Sequence, residues 1–155
     1  ELSSVELIPV ERFLSVDDYH PFTRKRLCEA GFAEKLENGT IEVICDSHEH
    51  LTDHVKTFIQ AAVFNLGYLP GGDHGVFTTP GVSVPAMRTA LELLRPGGVM
   101  TVCVYYGGPQ GMAEKDAVLA FLTGLPPEGY RVSVRDFSGR PGCPPIPVCI
   151  EKRAW

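Results

Sequence analysis

Cationic residues are scarce in this chain: 14 Lys and Arg stand against 19 Asp and Glu, for a formal net charge of −5. That balance excludes a broad non-specific grip on nucleic acid, which depends on cations neutralising backbone phosphates. A local grip on a small RNA element stays open. The densest basic cluster is Arg24, Lys25 and Arg26, although such a run on a helix is more often a solvated face. Cysteine spacing is equally sparse in signals. Cys28, Cys45, Cys103, Cys143 and Cys149 are odd in number and contain no Cys-x-x-Cys pair, so neither a disulfide framework nor a zinc knuckle is indicated. They read as reduced thiols. Cys45, Cys103 and Cys149 lie inside apolar runs, where a cysteine is usually a small buried hydrophobe. No apolar run approaches the length of a membrane span, and the acidic, proline-containing start does not resemble a signal peptide. The expectation is a cytoplasmic or organelle-matrix protein with no membrane contact. Before Gly67 the only glycines are Gly31 and Gly39, which a helix end and a turn explain. No Ser or Cys sits in a Gly-x-Ser-x-Gly elbow, so nucleophilic catalysis has no support.

What the chain does have is enough apolar content, 44% of 155 residues, for one good core. A single domain over 1–155 is expected. Strand-like runs occupy residues 41–45, 61–65, 99–105, 130–137 and 147–152, with helical patterns between most of them. That alternation predicts an α/β fold with a mostly parallel sheet. Residues 23–29 read as a helix closed by Gly31, and Asn38-Gly39 turns the chain into the next strand. Val84, Met87, Leu91 and Leu94 recur at helical spacing up to Pro96-Gly97-Gly98. Ala117, Val118, Phe121, Leu122 and Leu125 do the same up to Pro126-Pro127. Only residues 139–145 separate the last two strands, too few for a crossover helix, so these strands should pair antiparallel.

The most informative stretch is Asn65-Leu66-Gly67-Tyr68-Leu69-Pro70-Gly71-Gly72-Asp73, which follows the apolar run Ala61-Ala62-Val63-Phe64 as a strand end would. Open α/β sheets bind ligands at such ends. An amide, an aromatic ring and a Gly-Gly turn leading to a carboxylate can hold a planar or amino-bearing substrate beside a cofactor. A plain loop punctuated by Pro-Gly-Gly is the competing reading.

Asn65 to Tyr68 is similar to the Asn-Pro-Pro-Tyr type motif of methyltransferases that alkylate amino groups. The longer string resembles the bacterial and plastid rRNA methylase family, whose characterised members methylate 5-aminomethyl-(2-thio)uridine at the tRNA wobble position. Further motifs fall in that family's order: Ser47-His48-Glu49, Thr78-Thr79, Leu93-Leu94-Arg95-Pro96-Gly97-Gly98, Tyr105-Tyr106-Gly107-Gly108-Pro109-Gln110-Gly111 with Glu114-Lys115, Pro144-Pro145 and Ile150-Glu151-Lys152. The resemblance covers roughly residues 23–152 and leaves residues 1–22 poorly matched. It implies a Rossmann-like class I methyltransferase fold, a mostly parallel sheet finished by an antiparallel hairpin, with S-adenosyl-L-methionine as cofactor.

The resemblance also distributes roles. Asn65, Tyr68 and Asp73 would be catalytic, with Asn65 accepting an N–H bond from the amine, Tyr68 walling the pocket and Asp73 holding or deprotonating the amine. Gly67, Tyr68, Gly71, Gly72, Tyr105 and Tyr106 would line the substrate site, where Tyr106 stacks on a base or packs its ring under a loop. The family usually carries histidines where this chain has Tyr106 and Gly108. Asp46, Ser47, His48, Asn65 and Leu66 would contact the cofactor, with a surface or capping histidine as the alternative for His48. Asp17 or Asp18 would hydrogen-bond its ribose, or cap a helix. Methyltransferases of this class also cradle the cofactor's methionine part on a Gly-rich loop after the first strand. That loop is missing here. The favoured explanation is an omitted segment, with residues 2–16 joining pieces that flank the gap; a truncation with impaired cofactor binding and a family member using another loop are the alternatives. The tRNA anticodon region is the expected partner, and a homodimer stays open. Three other readings remain: an rRNA or small-amine methyltransferase, a non-enzymatic binding subunit, and a metal-dependent hydrolase built on Asp46-Ser47-His48-Glu49-His50 with Asp53 and His54. The last ranks lowest, because its spacing is one residue longer than the His-x-His-x-Asp-His pattern.

Overall fold

A computed structural model describes residues 16–44, 46–66, 79–106, 108–135, 137, 139–141 and 144–154. The chain divides into two compact units, Glu1–His48 and Glu49–Trp155.

In the first unit, helix α1 spans Val16–Glu29 and helix α2 spans Ala33–Glu37. The first therefore starts at Val16, well ahead of the expected Thr23, and places Asp17 and Asp18 in its opening turn. Gly31 ends it as the sequence predicts, with φ +87, while the Phe32 N–H reaches back to the Leu27 carbonyl at 2.9 Å. Gly39 turns the chain at φ +75, and Asn38 Oδ1 accepts the Thr40 N–H at 3.0 Å. Leu36, Ile41 and Val43 then close a small core against which Leu27 packs. Among the described residues, the strand expected over residues 41–45 is reduced to an isolated bridge at Val43. The Ile41 N–H is bonded to the Lys35 carbonyl at 2.9 Å, which ties the start of the apolar run to α2. Cys45 lies outside the described residues. Arg24, Lys25 and Arg26 are all exposed on α1, as a solvated face would be.

The second unit carries the sheet. Its strands are β1 (Ile59–Leu66), β2 (Leu94–Val104), β3 (Tyr130–Val134) and β4 (Ile146–Lys152), in the order β1-β2-β4-β3. Helix α3 (Leu51–His54) precedes β1, α4 (Pro80–Leu93) links β1 to β2, and α5 (Gly108–Thr123) follows β2. β1 and β2 are parallel, and β4 pairs antiparallel with both β2 and β3. The antiparallel finish agrees with the short 139–145 connection. Among the described residues the sheet is mixed, with β1–β2 as a parallel pair and an antiparallel finish, and it fits the expected α/β fold. None of the described helices is long and apolar enough to cross a membrane.

Strand alternation sorts the side chains into two faces. Met100, Val102 and Val104 of β2 lie beside Ala62, Phe64 and Leu66 of β1 and beside Ile150, Val148 and Ile146 of β4. All of these except half-buried Ala62 are buried. Met87, Ala90 and Leu91 of α4 and Val118 and Leu122 of α5 are buried with them, α4 packing on β1, β2 and α5. The opposite face carries Ala61, Val63, Asn65, Thr101, Cys103 and Cys149, and Val63 is 59% exposed. Cys103 and Cys149 are therefore only half-buried, contrary to the core role expected of them. The pleat, which composition does not reveal, turns them to the face opposite α4 and α5.

Pro96-Gly97-Gly98 does more than stop a helix. α4 ends at Leu93, β2 starts immediately, and the register jumps from Ile59↔Leu94 to Ala61↔Val99. Arg95 to Gly98 thus bulge out opposite Gln60 alone, with Gly97 at φ +77. A Cβ on Gly98 would lie 2.8 Å from the Arg95 carbonyl oxygen and 3.0 Å from that of Gln60. Both are backbone atoms that cannot swing aside. Gly98→Ala is expected to cost about 1–3 kcal/mol, as overpacking does, and urea denaturation would measure it. An unchanged midpoint would mean that the bulge relaxes freely. Lys152 Nζ closes the same end of the sheet by donating to the Leu91 and Glu92 carbonyls at 2.8 and 3.1 Å, which caps α4.

Candidate active site

Parallel pairing brings the C-terminal ends of β1 and β2 side by side, with Asn65 opposite Cys103 and Leu66 opposite Val104. The Tyr105 N–H donates to the Leu66 carbonyl at 3.2 Å, so the pairing continues one residue past β2. Asn65 is exposed at this edge. Leu66 is not available in the same way. Its side chain is 1% exposed and faces the core, so the expected Leu66 contact can come from its backbone only. The 67–78 segment, with Gly67, Tyr68, Gly71, Gly72 and Asp73, lies outside the described residues.

Tyr105 and Tyr106 follow β2 in different environments. Tyr105 is 43% exposed, whereas Tyr106 is half-buried against α5. Lys115 Nζ sits 5.4 Å from the centroid of the Tyr106 ring, a cation–π distance, and 3.0 Å from Asp116 Oδ1. Beneath the backbone, Gly111 leaves no slack: a Cβ there would be 3.2 Å from Tyr106 Cα. Sequence reasoning named Lys115 only as part of a motif and missed its place at the Tyr106 ring. It also missed the bond between Ser83 and Glu114, whose side chains meet in the interior at 2.7 Å. The one available signal was a glutamate at helical spacing from Gly111 and Val118, on the face that becomes buried.

In the first unit, Asp46 Oδ1 accepts the Ser47 N–H at 2.7 Å, and the Asp46 side chain is exposed. Ser47 Oγ is buried with no hydrogen-bond partner among the described residues. His48 is 2% exposed, so it is no surface histidine. It opens a 3-10 turn, His48–His50, that leads into α3. His50 Nε2 lies 4.0 Å from Glu49 Oε1. Among the described residues no three His, Cys, Asp or Glu side chains gather closely enough to hold a metal ion.

Comparison with known proteins agrees with this architecture. The sequence model of the family described as "Putative rRNA methylase" matches residues 21–151. A chloroplastic tRNA (mnm(5)s(2)U34)-methyltransferase of Arabidopsis thaliana is 36% identical over 95 residues, which are 61% of this chain and 34% of that protein. The chain thus spans about a third of the length of that curated relative. The crystal structure of a "putative rRNA-methylase" from Clostridium thermocellum superposes with a TM-score of 0.84 at 36% identity, covering 96% of this chain and 75% of the other. A "putative methyltransferase" from Streptococcus mutans in complex with SAH gives 0.80 at 32% identity, with 96% and 76% covered. With the strand-end motif, the antiparallel hairpin and the matched span in agreement, this chain belongs to the rRNA methylase family of class I S-adenosylmethionine-dependent methyltransferases.

Proposed function

We propose that this protein is an S-adenosyl-L-methionine-dependent N-methyltransferase acting on RNA, and that its substrate is the 5-aminomethyl group of a wobble (2-thio)uridine in the tRNA anticodon region. The observation that carries the reading is the exposed Asn65 at the end of β1, held beside Tyr105 and Tyr106 by the Tyr105-to-Leu66 backbone bond. When bound, the cofactor supplies an electrophilic methyl group on a sulfonium. The chain's own task is to present a neutral amine lone pair in line with that methyl group, since an ammonium has no lone pair to give. Asn65 can accept one amine N–H through its side-chain carbonyl and so aim the nitrogen. Tyr105 offers an exposed aromatic face to a flipped base, an interaction open to any base because each has a π-face. Tyr106, backed by Lys115, forms a firmer wall behind it.

The residues present also fit the nucleoside part of the cofactor. The Ser47 hydroxyl, buried with no hydrogen-bond partner among the described residues, is open to a ligand that would satisfy it. Within the first unit, Ser47 and Asp46 would offer a donor and an acceptor for that part. The low cationic content is compatible with a short RNA element gripped locally and not along its backbone. The relative from Arabidopsis supports the tRNA substrate, and the family description favours rRNA as the second reading.

Mass spectrometry of digested tRNA decides between them. After incubation with the protein and S-adenosyl-L-methionine, tRNA carrying 5-aminomethyl-2-thiouridine should gain one methyl group on that nucleoside. Gain on rRNA alone would replace the substrate assignment. Absence of cofactor binding by calorimetry, with no gain on any RNA, would favour a non-enzymatic binding subunit.

A further inference from the structure

Glu114 and Ser83 are 2% and 0% exposed, come from different helices, and share a hydrogen bond in which Ser83 Oγ donates to Glu114 Oε1 at 2.7 Å. Glu114 stands close behind the Tyr105-Tyr106 end of β2, and Ser83 anchors the start of α4. Ser83 belongs to the first turn of α4, where its N–H and that of Val82 both donate to the Thr79 carbonyl, at 2.8 and 3.0 Å. Thr79 is where the chain returns after the 67–78 segment that follows Asn65. Glu114 lies three residues beyond Gly111 and therefore on the same face of α5. Gly111 is the residue pressed against the Tyr106 backbone, and the neighbouring Lys115 reaches over the Tyr106 ring.

We propose that Glu114 is a positioning residue, which through Ser83 fixes the axial register of α5 against α4 and thereby holds Tyr105 and Tyr106 in place beside Asn65. The proposal rests on the methyltransferase reading for its consequence in catalysis, and on geometry for its structural part. Stability alone gives a poor reason for this pair. Burying a carboxylate carries a desolvation cost, and an apolar side chain of similar volume often serves a core as well or better. What an apolar contact does not supply is direction. Two helices in apolar contact can slide by small amounts at little cost, whereas a 2.7 Å bond between two polar side chains is lost by such a slide. The unslackened Gly111 contact would carry any slide of α5 directly to Tyr106. The Tyr105 N–H bond to Leu66 would then feel it next.

Three variants test this: Glu114→Leu, which removes the polar partner but fills its volume, Glu114→Gln, which keeps an acceptor oxygen, and Ser83→Ala. The first readout is amide hydrogen exchange at Tyr105 compared with Val102, which sits in the middle of the buried strand. Glu114→Leu should speed Tyr105 exchange roughly tenfold relative to Val102, the scale of one lost hydrogen bond, and Glu114→Gln should restore it to within about threefold of the wild type. The second readout is methyl transfer, where Glu114→Leu should lower kcat/KM for the RNA roughly tenfold and Glu114→Gln should restore it. Exchange that rises equally at Tyr105 and Val102, or at neither, would overturn the proposal and leave an ordinary packing contact. Should Glu114→Leu fail to fold, Ser83→Ala carries the same comparison. Should the wild type transfer no methyl group, the functional reading fails while the exchange ratio still decides the latch.

Discussion

Asn65→Ala is expected to lower the turnover of methyl transfer on the order of a hundredfold, the loss seen when one aligned donor or acceptor is removed from a preorganised site. Its melting temperature should stay at the wild-type value. The two halves of this expectation come from the same fact. Asn65 projects from the exposed face of β1 while its neighbours Phe64 and Leu66 are buried, so the truncated side chain leaves no cavity. On the proposed function, what it removes is the acceptor that would aim the amine. Single-turnover rates and a thermal melt on the same preparation would check both. Near-normal turnover with an intact melt would reduce the motif to a turn and withdraw its chemical role.

Met100→Ala should have the opposite profile, a large loss of stability with no direct contact to chemistry. Met100 is fully buried on the central strand β2, paired with Ala62 of β1 on one side and Ile150 of β4 on the other. Truncating it opens a cavity under three strands at once, and losses of about 2–5 kcal/mol are typical of such changes. Against a total stability of about 5–15 kcal/mol for a native domain, that is enough to depopulate the fold on moderate warming. The next residue provides the control. Thr101 points to the exposed face, so Thr101→Ala should stay within about 0.5 kcal/mol of the wild type. Urea unfolding of the two variants would reveal any error in the face assignment, because equal losses at both positions are incompatible with it.

The site was partly legible before any coordinates. A strand end followed by Asn65 and a Gly-rich turn is visible in one dimension because apolar runs and turn residues are local signals. The adjacency of Tyr105 to that strand end was legible only by way of the family's topology. The state of each side chain was not legible at all. Leu66 and Asn65 are neighbours with opposite fates, and Tyr106 is held by a lysine nine residues further on. Ser47 Oγ and Glu114 became informative only when burial was known, since a polar atom attracts attention by what surrounds it.

Sequence alone therefore determined the elements whose identity is written in local periodicity: β1, β2 and β4 as apolar runs, α4 and α5 as apolar stripes at helical spacing, the antiparallel last pair from a short connection, and the family from its strand-end motif. Tertiary structure decided the rest. Residues 41–44 have strand propensity, yet the Ile41 N–H goes to α2 and, among the described residues, only Val43 bridges; Pro96-Gly97-Gly98 looks like a helix stop and is a bulge inside β2; Cys103 and Cys149 sit in apolar runs yet turn to the face opposite α4 and α5. The physical reason is the same in each case. Propensity and periodicity are sums over neighbours in the chain, whereas hydrogen-bond partners, pleat direction and burial are set by residues tens of positions away, and where the two conflict the non-local contacts decide.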